Sequence, residues 1–264
     1  MSRPHGAQSL DNVEVSIIVP TLNEAEHISH LLASLQSQAS VKSEIILVDG
    51  GSRDGTAKIA ESLGARVFVL EGANEFDARN YGVTQSKGDV LLFTCADVIF
   101  PRNSLESVRR HFRDKPSLAA LSGPGVPYDG GPALLFIYGL YNALRFLTSR
   151  LPYPHKTFSS STNFLVVRRG VFSETRGFNS NDGNADGMMG RYLVSRYQTI
   201  FDNRILVYIS ARRANSLGIV RFTRHYVYVL ENFLPGISPK QWFQSLKAKS
   251  RKSHGEIHGK PASS

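Results

Sequence analysis

The stretch VSIIVPTLNE (residues 15–24) sets the first element of the chain and the loop that follows it. Val15 to Pro20 is a short run rich in β-branched residues and reads as a buried strand. From Glu24 to about Gln38, Ile28, Leu31, Leu32 and Leu35 recur at helical spacing. Ile45 to Val48 reads as a second strand, followed by a polar glycine turn and a helix from Thr56 to Leu63. Gly64 stops that helix in the C-cap manner. Val67 to Leu70 is a third strand, Phe76 to Ser86 a third helix ended by Lys87-Gly88, and Val90 to Thr94 a fourth strand. This alternation predicts an α/β fold: a doubly wound, mostly parallel sheet with helices on both faces. Ligands of such sheets bind outside the carboxyl ends of the strands. Four segments are marked out: Thr21 to Glu24, Asp49 to Thr56, the residues after Leu70, and Cys95 to Val98.

Beyond residue 102 the pattern is less regular. Ala133 to Leu151 and Met188 to Tyr197 read as helices, Asn163 to Val167 and Ile205 to Ile209 as strands. With no internal repeat and no linker, residues 14–234 read as one domain, with a ligand-binding half (14–102) and a C-terminal portion (103–234). The chain has 264 residues, long enough for one large core, and its 41% hydrophobic and 20% charged residues are ordinary for a globular protein. Cys95 is the single cysteine, so no disulfide forms within the chain and nothing points to an oxidising compartment. No signal-peptide core and no spanning apolar run are present, which makes a cytoplasmic location the expectation.

The formal charge of +9 is concentrated late, with Lys247, Lys249, Arg251, Lys252 and Lys260 in a segment poor in apolar residues. Residues 247–264 read as a solvated, disordered tail, or as a tail drawn to anionic headgroups at the inner face of a membrane. Nothing resembles a base-reading module, so nucleic acid is not an expected partner. The helix at 133–151 also has two readings, as a core helix or as an amphipathic segment lying in a bilayer interface.

The loops at the strand ends carry the chemistry. Pro20-Thr21-Leu22-Asn23-Glu24 lacks the glycines of a dinucleotide-binding loop, and of a pyrophosphorylase loop. Asp49-Gly50-Gly51-Ser52 places a carboxylate and flexible backbone where a base or ribose can be hydrogen-bonded; Asp54 and Gly55 read as turn and cap. Asp97, ahead of the apolar residues Val98 to Phe100, is not at an obvious helix cap. It is the hard ligand that a Mg²⁺ or Mn²⁺ bridging two phosphates recruits.

In order and spacing, VSIIVPTLNE (15–24), LVDGGSRDGT (47–56) and DARNYGVTQSKGDVLLFTCAD (77–97) resemble the family-2 glycosyltransferases of GT-A fold. The resemblance covers residues 14–102 strongly. It implies that Pro20, Thr21, Asn23 and Glu24 line a nucleotide-sugar pocket, together with Gly51, Ser52 and Ala96 of the matching loops. It implies that Asp49 binds the base, that Arg79 lies near base or phosphates, and that Asp97 holds the divalent cation. The donor expected is a UDP- or GDP-type sugar, the acceptor a glycan or polyprenyl-linked hydroxyl, and the outcome inversion of the anomeric carbon.

One departure stands out. The family has two acids in the metal motif, and the first is Cys95 here, which either packs as a small hydrophobe or faces the pocket. In the second half the resemblance is looser. Ser161 to Arg169 looks like the strand beside the donor sugar, leading to the Gly177-Phe178 turn. Of the family's acidic pair only Asp186 is present, as base or as N-cap of the next helix, with Asp182 the near alternative. Arg212 and Arg213 can reach phosphates or form a solvated basic turn. Gln241 and Trp242 do not form the QxxRW pattern of processive synthases, which favours single-sugar transfer. Two rivals stay open: a non-catalytic nucleotide-sugar-binding protein and a nucleotidyltransferase on the same fold.

Overall fold

A computed structural model describes residues 15–217 apart from 39, 154, 159 and 183, and apart from the side chains of residues 213 and 217. The expected tail at 247–264, the rest of the C-terminal portion up to 234, and Gln241 and Trp242 lie outside the described residues. The first half follows the alternation in the sequence. Strand β1 (Val15–Thr21) leads to helix α1 (Ala25–Gln36), β2 (Ser43–Asp49) to α2 (Thr56–Ser62), and β3 (Arg66–Val69) to α3 (Glu75–Gln85) and β4 (Val90–Phe93). The remainder adds β5 (Val98–Ile99), α4 (Ser104–Asp114), β6 (Leu118–Ser122), β7 (Gly125–Pro127), α5 (Pro132–Ser149), β8 (Leu165–Arg168), α6 (Arg169–Glu174), α7 (Ala185–Arg196), β9 (Gln198–Phe201), β10 (Val207–Ile209) and α8 (Arg212–Leu217).

Seven strands form the main sheet in the order β3-β2-β1-β4-β8-β6-β9. All neighbours are parallel except β8, which runs antiparallel to both β4 and β6. Strand alternation divides the core into two layers. Ile17 and Val19 of β1, Leu92 of β4 and Val166 of β8 pack with Ile28, Leu31 and Leu32 of α1 and with Phe112 of α4. Ile18, Leu91, Phe93, Leu165 and Val167 face the opposite side, against Phe76, Phe172, Phe178 and the buried residues of α7. Helices therefore cover both faces, as the alternation predicts.

Two details place the site. The parallel register sets Thr21 opposite Asp49 and Ile18 opposite Phe93, so the loops after β1, β2 and β4 leave the sheet side by side. A second, three-stranded sheet, β5-β10-β7, begins directly after the β4 loop. Its antiparallel β10 pairs Ile209 with Val98 and returns the chain to that loop.

Candidate active site

The first cluster forms at the ends of β1 and β2. The Asp49 carboxylate accepts at Oδ1 from the Gly51 N–H (3.0 Å) and the Ser52 N–H (2.6 Å), and at Oδ2 from Thr21 Oγ1 (2.9 Å) and Ser52 Oγ (2.6 Å). Four donors fill the acceptor capacity of one carboxylate, so Asp49 shapes this loop, and a base can bind it only where one of these donors yields. Gly51 takes φ 100°, a left-handed conformation costly for any side-chain-bearing residue. Asn23 is itself left-handed, at φ 55°. Its N–H donates to Ser52 Oγ (2.7 Å), and its Oδ1 accepts from the Arg53 N–H (2.9 Å). Thr21, Asn23, Asp49, Gly51 and Ser52 thus form one hydrogen-bonded unit, with half-buried Pro20 beside it.

Asp54 belongs to the scaffold. Burial opposes its charge, yet hydrogen bonds from Thr56 Oγ1, the Ala25 N–H and the Thr56 N–H hold its carboxyl below the ordinary value. It thereby links the first turns of α1 and α2.

The second cluster forms at the end of β4. Asp97 is half-buried, and its Oδ2 accepts from Arg212 Nε at 3.1 Å. Arg212 Nη2 donates to Glu24 Oε1 at 2.5 Å, so one guanidinium near the end of the described chain spans carboxylates from the loops after β1 and β4. Burial raises the Glu24 carboxyl above its ordinary value, against the hydrogen bond and charge of Arg212. Arg212 itself is shifted upward: burial opposes its charge, but the hydrogen bond to Glu24 and the charges of Asp97 and Glu24 outweigh it. The β5–β10 pairing delivers Arg212 here, and the Ser210 N–H donates to the Asp97 carbonyl (3.2 Å). Asp129 fixes the same turn by accepting from Ser210 Oγ (2.8 Å) and the Ala211 N–H (2.5 Å).

Among the described residues no three His, Cys, Asp or Glu side chains converge as a metal cage. A divalent cation that takes most of its oxygens from a diphosphate and water needs only one hard carboxylate. Asp97 fits that requirement, and its contact with Arg212 shows that the position attracts positive charge. Ala96 is buried, so only its backbone can face a ligand.

Arg79 stands behind the β4 loop and is fully buried. Nη1 pairs with Glu75 Oε2 (2.9 Å), Nη2 donates to Cys95 Sγ (3.3 Å), and the guanidinium lies over the Phe76 ring, 5.6 Å from its centroid. Cys95 combines its two readings. It packs partly against the core, while its thiol lies 3.3 Å from Asn163 Oδ1 and receives Arg79. We expect Cys95→Asp to fold with a stability within about 1 kcal/mol of the parent, because the new carboxylate meets a buried guanidinium. Metal-dependent nucleotide binding should tighten. Thermal melts and titration calorimetry check both, and a loss of several kcal/mol would show the arginine to be unavailable.

The third group lies on α7. This helix starts at Ala185 with Asn184 at the N-cap, so Asp186 is in its first turn and is not the cap. Its Oδ1 accepts from the Gly187 N–H at 2.8 Å, and its charge contributes to the upward shift of Arg79. Asp182 has the local role instead: its Oδ1 accepts from the Asn184 N–H (3.0 Å) in a turn ahead of the helix. The Gly177-Phe178 turn docks on α3, where Asn80 exchanges hydrogen bonds with the backbone of Phe178 (2.8 and 2.9 Å). Phe178 packs edge-on to Phe93, 5.1 Å between centroids, and truncating so buried a ring costs about 3–5 kcal/mol. The β4 loop and the α7 loop are thus anchored to a common aromatic cluster.

The sequence profile of a family described as Glycosyl transferase family 2 matches residues 16–175. Over 125 residues the chain is 36% identical to glycosyltransferase AglE of Haloferax volcanii, covering 44% of this chain and 38% of that protein. Over 177 residues it is 29% identical to the O-antigen chain rhamnosyltransferase WbaN of Salmonella anatum, covering 62% and 55%. The chain thus spans about half the length, or less, of these curated relatives. Mannosyltransferase PcManGT from Pyrobaculum calidifontis, in complex with GDP-Man and Mn²⁺, superposes with a TM-score of 0.62 at 21% identity, over 92% of this chain and 70% of that one. TarS from S. aureus in complex with UDP gives 0.61 at 19% identity, over 92% and 72%. These structures share the GT-A architecture with this chain.

Proposed function

Because the chain belongs to glycosyl transferase family 2, we propose that its carboxyl-edge site binds a nucleotide-diphosphate sugar of UDP or GDP type and passes the sugar to an acceptor hydroxyl with inversion. The observation that supports this most is the meeting of Glu24, Asp97 and Arg212 beside the Asp49 loop, which offers carboxylates to a cation and a guanidinium to a diphosphate. The neighbours of like fold, with GDP-Man and Mn²⁺ in one and UDP in the other, are consistent with that donor class.

In this reading Thr21, Asn23, Asp49, Gly51 and Ser52 hold the nucleoside, with Pro20, Glu24 and the backbone of Ala96 at its margins. Arg79 braces the motif loop from behind. Asp97 would hold Mg²⁺ or Mn²⁺, which would offset the charge of the leaving diphosphate. Arg212 can turn from the carboxylates to phosphate oxygens in a bidentate contact. Asp186 takes the acceptor proton as the new glycosidic bond forms on the face opposite the departing diphosphate. Residues 14–234 act as one domain, with 14–102 holding the donor and 103–234 the acceptor, a glycan or polyprenyl-linked hydroxyl.

Thermal melts with UDP-, GDP- and CMP-sugars, with and without Mn²⁺, test the reading. The correct donor at 100 times its Kd raises stability by about 2.7 kcal/mol and then releases a nucleoside diphosphate on turnover. Binding without release would leave a nucleotide-sugar-binding protein. Pyrophosphate formation from a sugar-1-phosphate and a nucleoside triphosphate would mark a nucleotidyltransferase.

A further inference from the structure

Helix α5 buries Leu134 and Tyr138 in the core as an ordinary surface helix does, but it also buries a charge and exposes large apolar side chains. Its inward face carries the buried Arg145, whose Nη2 lies 3.2 Å from Ser122 Oγ and whose guanidinium sits over the Phe201 ring at 4.6 Å. Its outward face carries Phe136, Leu140 and Leu147, which are 73%, 65% and 63% exposed. At 100° per residue these three fall within about 40° of arc. Single exposed leucines are common on soluble proteins, but a continuous stripe of them marks a contact surface. No Asp or Glu occurs between Asp129 and Glu174, so nothing acidic borders the stripe along its own segment.

The last turn of α5 opens into a cavity of about 290 Å³ lined by Lys115, Arg150, Arg204, His111 and Thr199. Its one carboxylate, Asp202, is already held by Arg204 (3.0 Å) and His111 (2.9 Å). Thr199 Oγ1, buried on the cavity wall, has no hydrogen-bond partner. Lys115 and Arg150 are then the lining cations not committed to the cavity's carboxylate, and they supply the charge that a phosphate calls for.

We propose that the outer face of α5 lies in the interfacial layer of an anionic bilayer, with the basic cavity at its end taking the phosphate of a lipid headgroup. Charge complementarity selects this occupant. The cavity's Lys115 and Arg150, at the end of an apolar stripe whose own segment carries no Asp or Glu, match a surface that is apolar within and anionic at its rim, and a second copy is an outcome of the test. No helix among the described residues is long and apolar enough to cross a membrane, so α5 lies along the surface. Its other end adjoins the candidate active site: Asp129, just ahead of α5, holds the backbone turn that carries Arg212 to Asp97. Resting on the transferase reading, the acceptor is then a lipid-linked hydroxyl presented beside Asp97 by the same membrane.

Flotation of the full chain with phosphatidylcholine vesicles, with and without phosphatidylglycerol, tests the dock. The chain should float with the anionic vesicles in low salt. The triple variant Phe136→Gln, Leu140→Gln, Leu147→Gln should lose on the order of tenfold or more in binding while melting like the parent. Lys115→Gln with Arg150→Gln should lose roughly fivefold per charge, on anionic vesicles alone. Failure of the parent to float, or a triple variant that floats as well as the parent, overturns the proposal. A triple variant that melts several degrees lower overturns it too, because the stripe is then covered by the chain's own residues. So does a parent dimer that the triple variant dissociates without any vesicle binding. Hydrolysis of the donor by water should be equal in parent and variants. If no donor is hydrolysed at all while flotation behaves as expected, the transferase reading fails and the dock stands.

Discussion

Asp186→Asn should lower transfer to the acceptor by roughly 10²–10⁴-fold while leaving donor affinity near that of the parent chain. The substitution keeps the size of the side chain and an oxygen that can accept from the Gly187 N–H, so the first turn of α7 stays intact. An amide cannot take the acceptor's proton. Removing a carboxylate from the first turn also forfeits a favourable interaction with the helix dipole, of about 0.3–1 kcal/mol. That loss is too small to unfold the chain, so a fall in rate reads as chemistry. Asp182→Asn is the control, because its Oδ1 supports the backbone ahead of α7 and an amide oxygen can do the same. Single-turnover assays with the true acceptor or a close surrogate measure both. Should Asp182→Asn lose transfer while Asp186→Asn keeps it, the base lies four residues earlier and the loop alignment falls with it.

Asp97→Ala should reduce Mn²⁺-dependent binding of the nucleoside diphosphate by about 100-fold or more, since even outer-shell changes at metal sites cost 10–100-fold. The fold should survive. Asp97 is only half-buried, and Arg212 keeps its contact with Glu24 at 2.5 Å. Loss of one charge-assisted hydrogen bond costs about 1.5–3 kcal/mol as an upper range, and less at a half-exposed site. Calorimetric titration with and without Mn²⁺, beside a thermal melt, separates the two effects. Undiminished Mn²⁺-dependent binding would remove Asp97 from the metal role.

The first half of the fold was legible because its signals are local. β1 to β4 are short β-branched or leucine-rich runs, α1 shows its stripe within a dozen residues, and Gly64 and Lys87-Gly88 mark the ends of the next two helices. The second half depends on partners far away in sequence. β6 reads LAALS, with two alanines of low strand preference, and is a strand because β8 and β9 flank it. β5, β7 and β10 are two or three residues each and exist only as a set. The start of α7 was read late because Gly187, two methionines and Gly190 blur its stripe. The residues of the candidate site were legible as strand-end loops, but their pairing was not. Arg212 meets Glu24 across 188 residues of sequence, and nothing near either position announces the other. Asp129, which fixes the Arg212 turn, carried no signal beyond a lone acid before two glycines.

The bridge that Arg212 makes between Glu24 and Asp97 means that the charge balance of this edge is written into the polypeptide. The two carboxylates share one counter-ion supplied by the chain itself, so part of their negative charge is answered without anything dissolved around it. Chelators used in purification then act on ligand occupancy and leave the architecture alone. Preparation free of added metal is accordingly a sound starting point for titrating cation and nucleotide back separately.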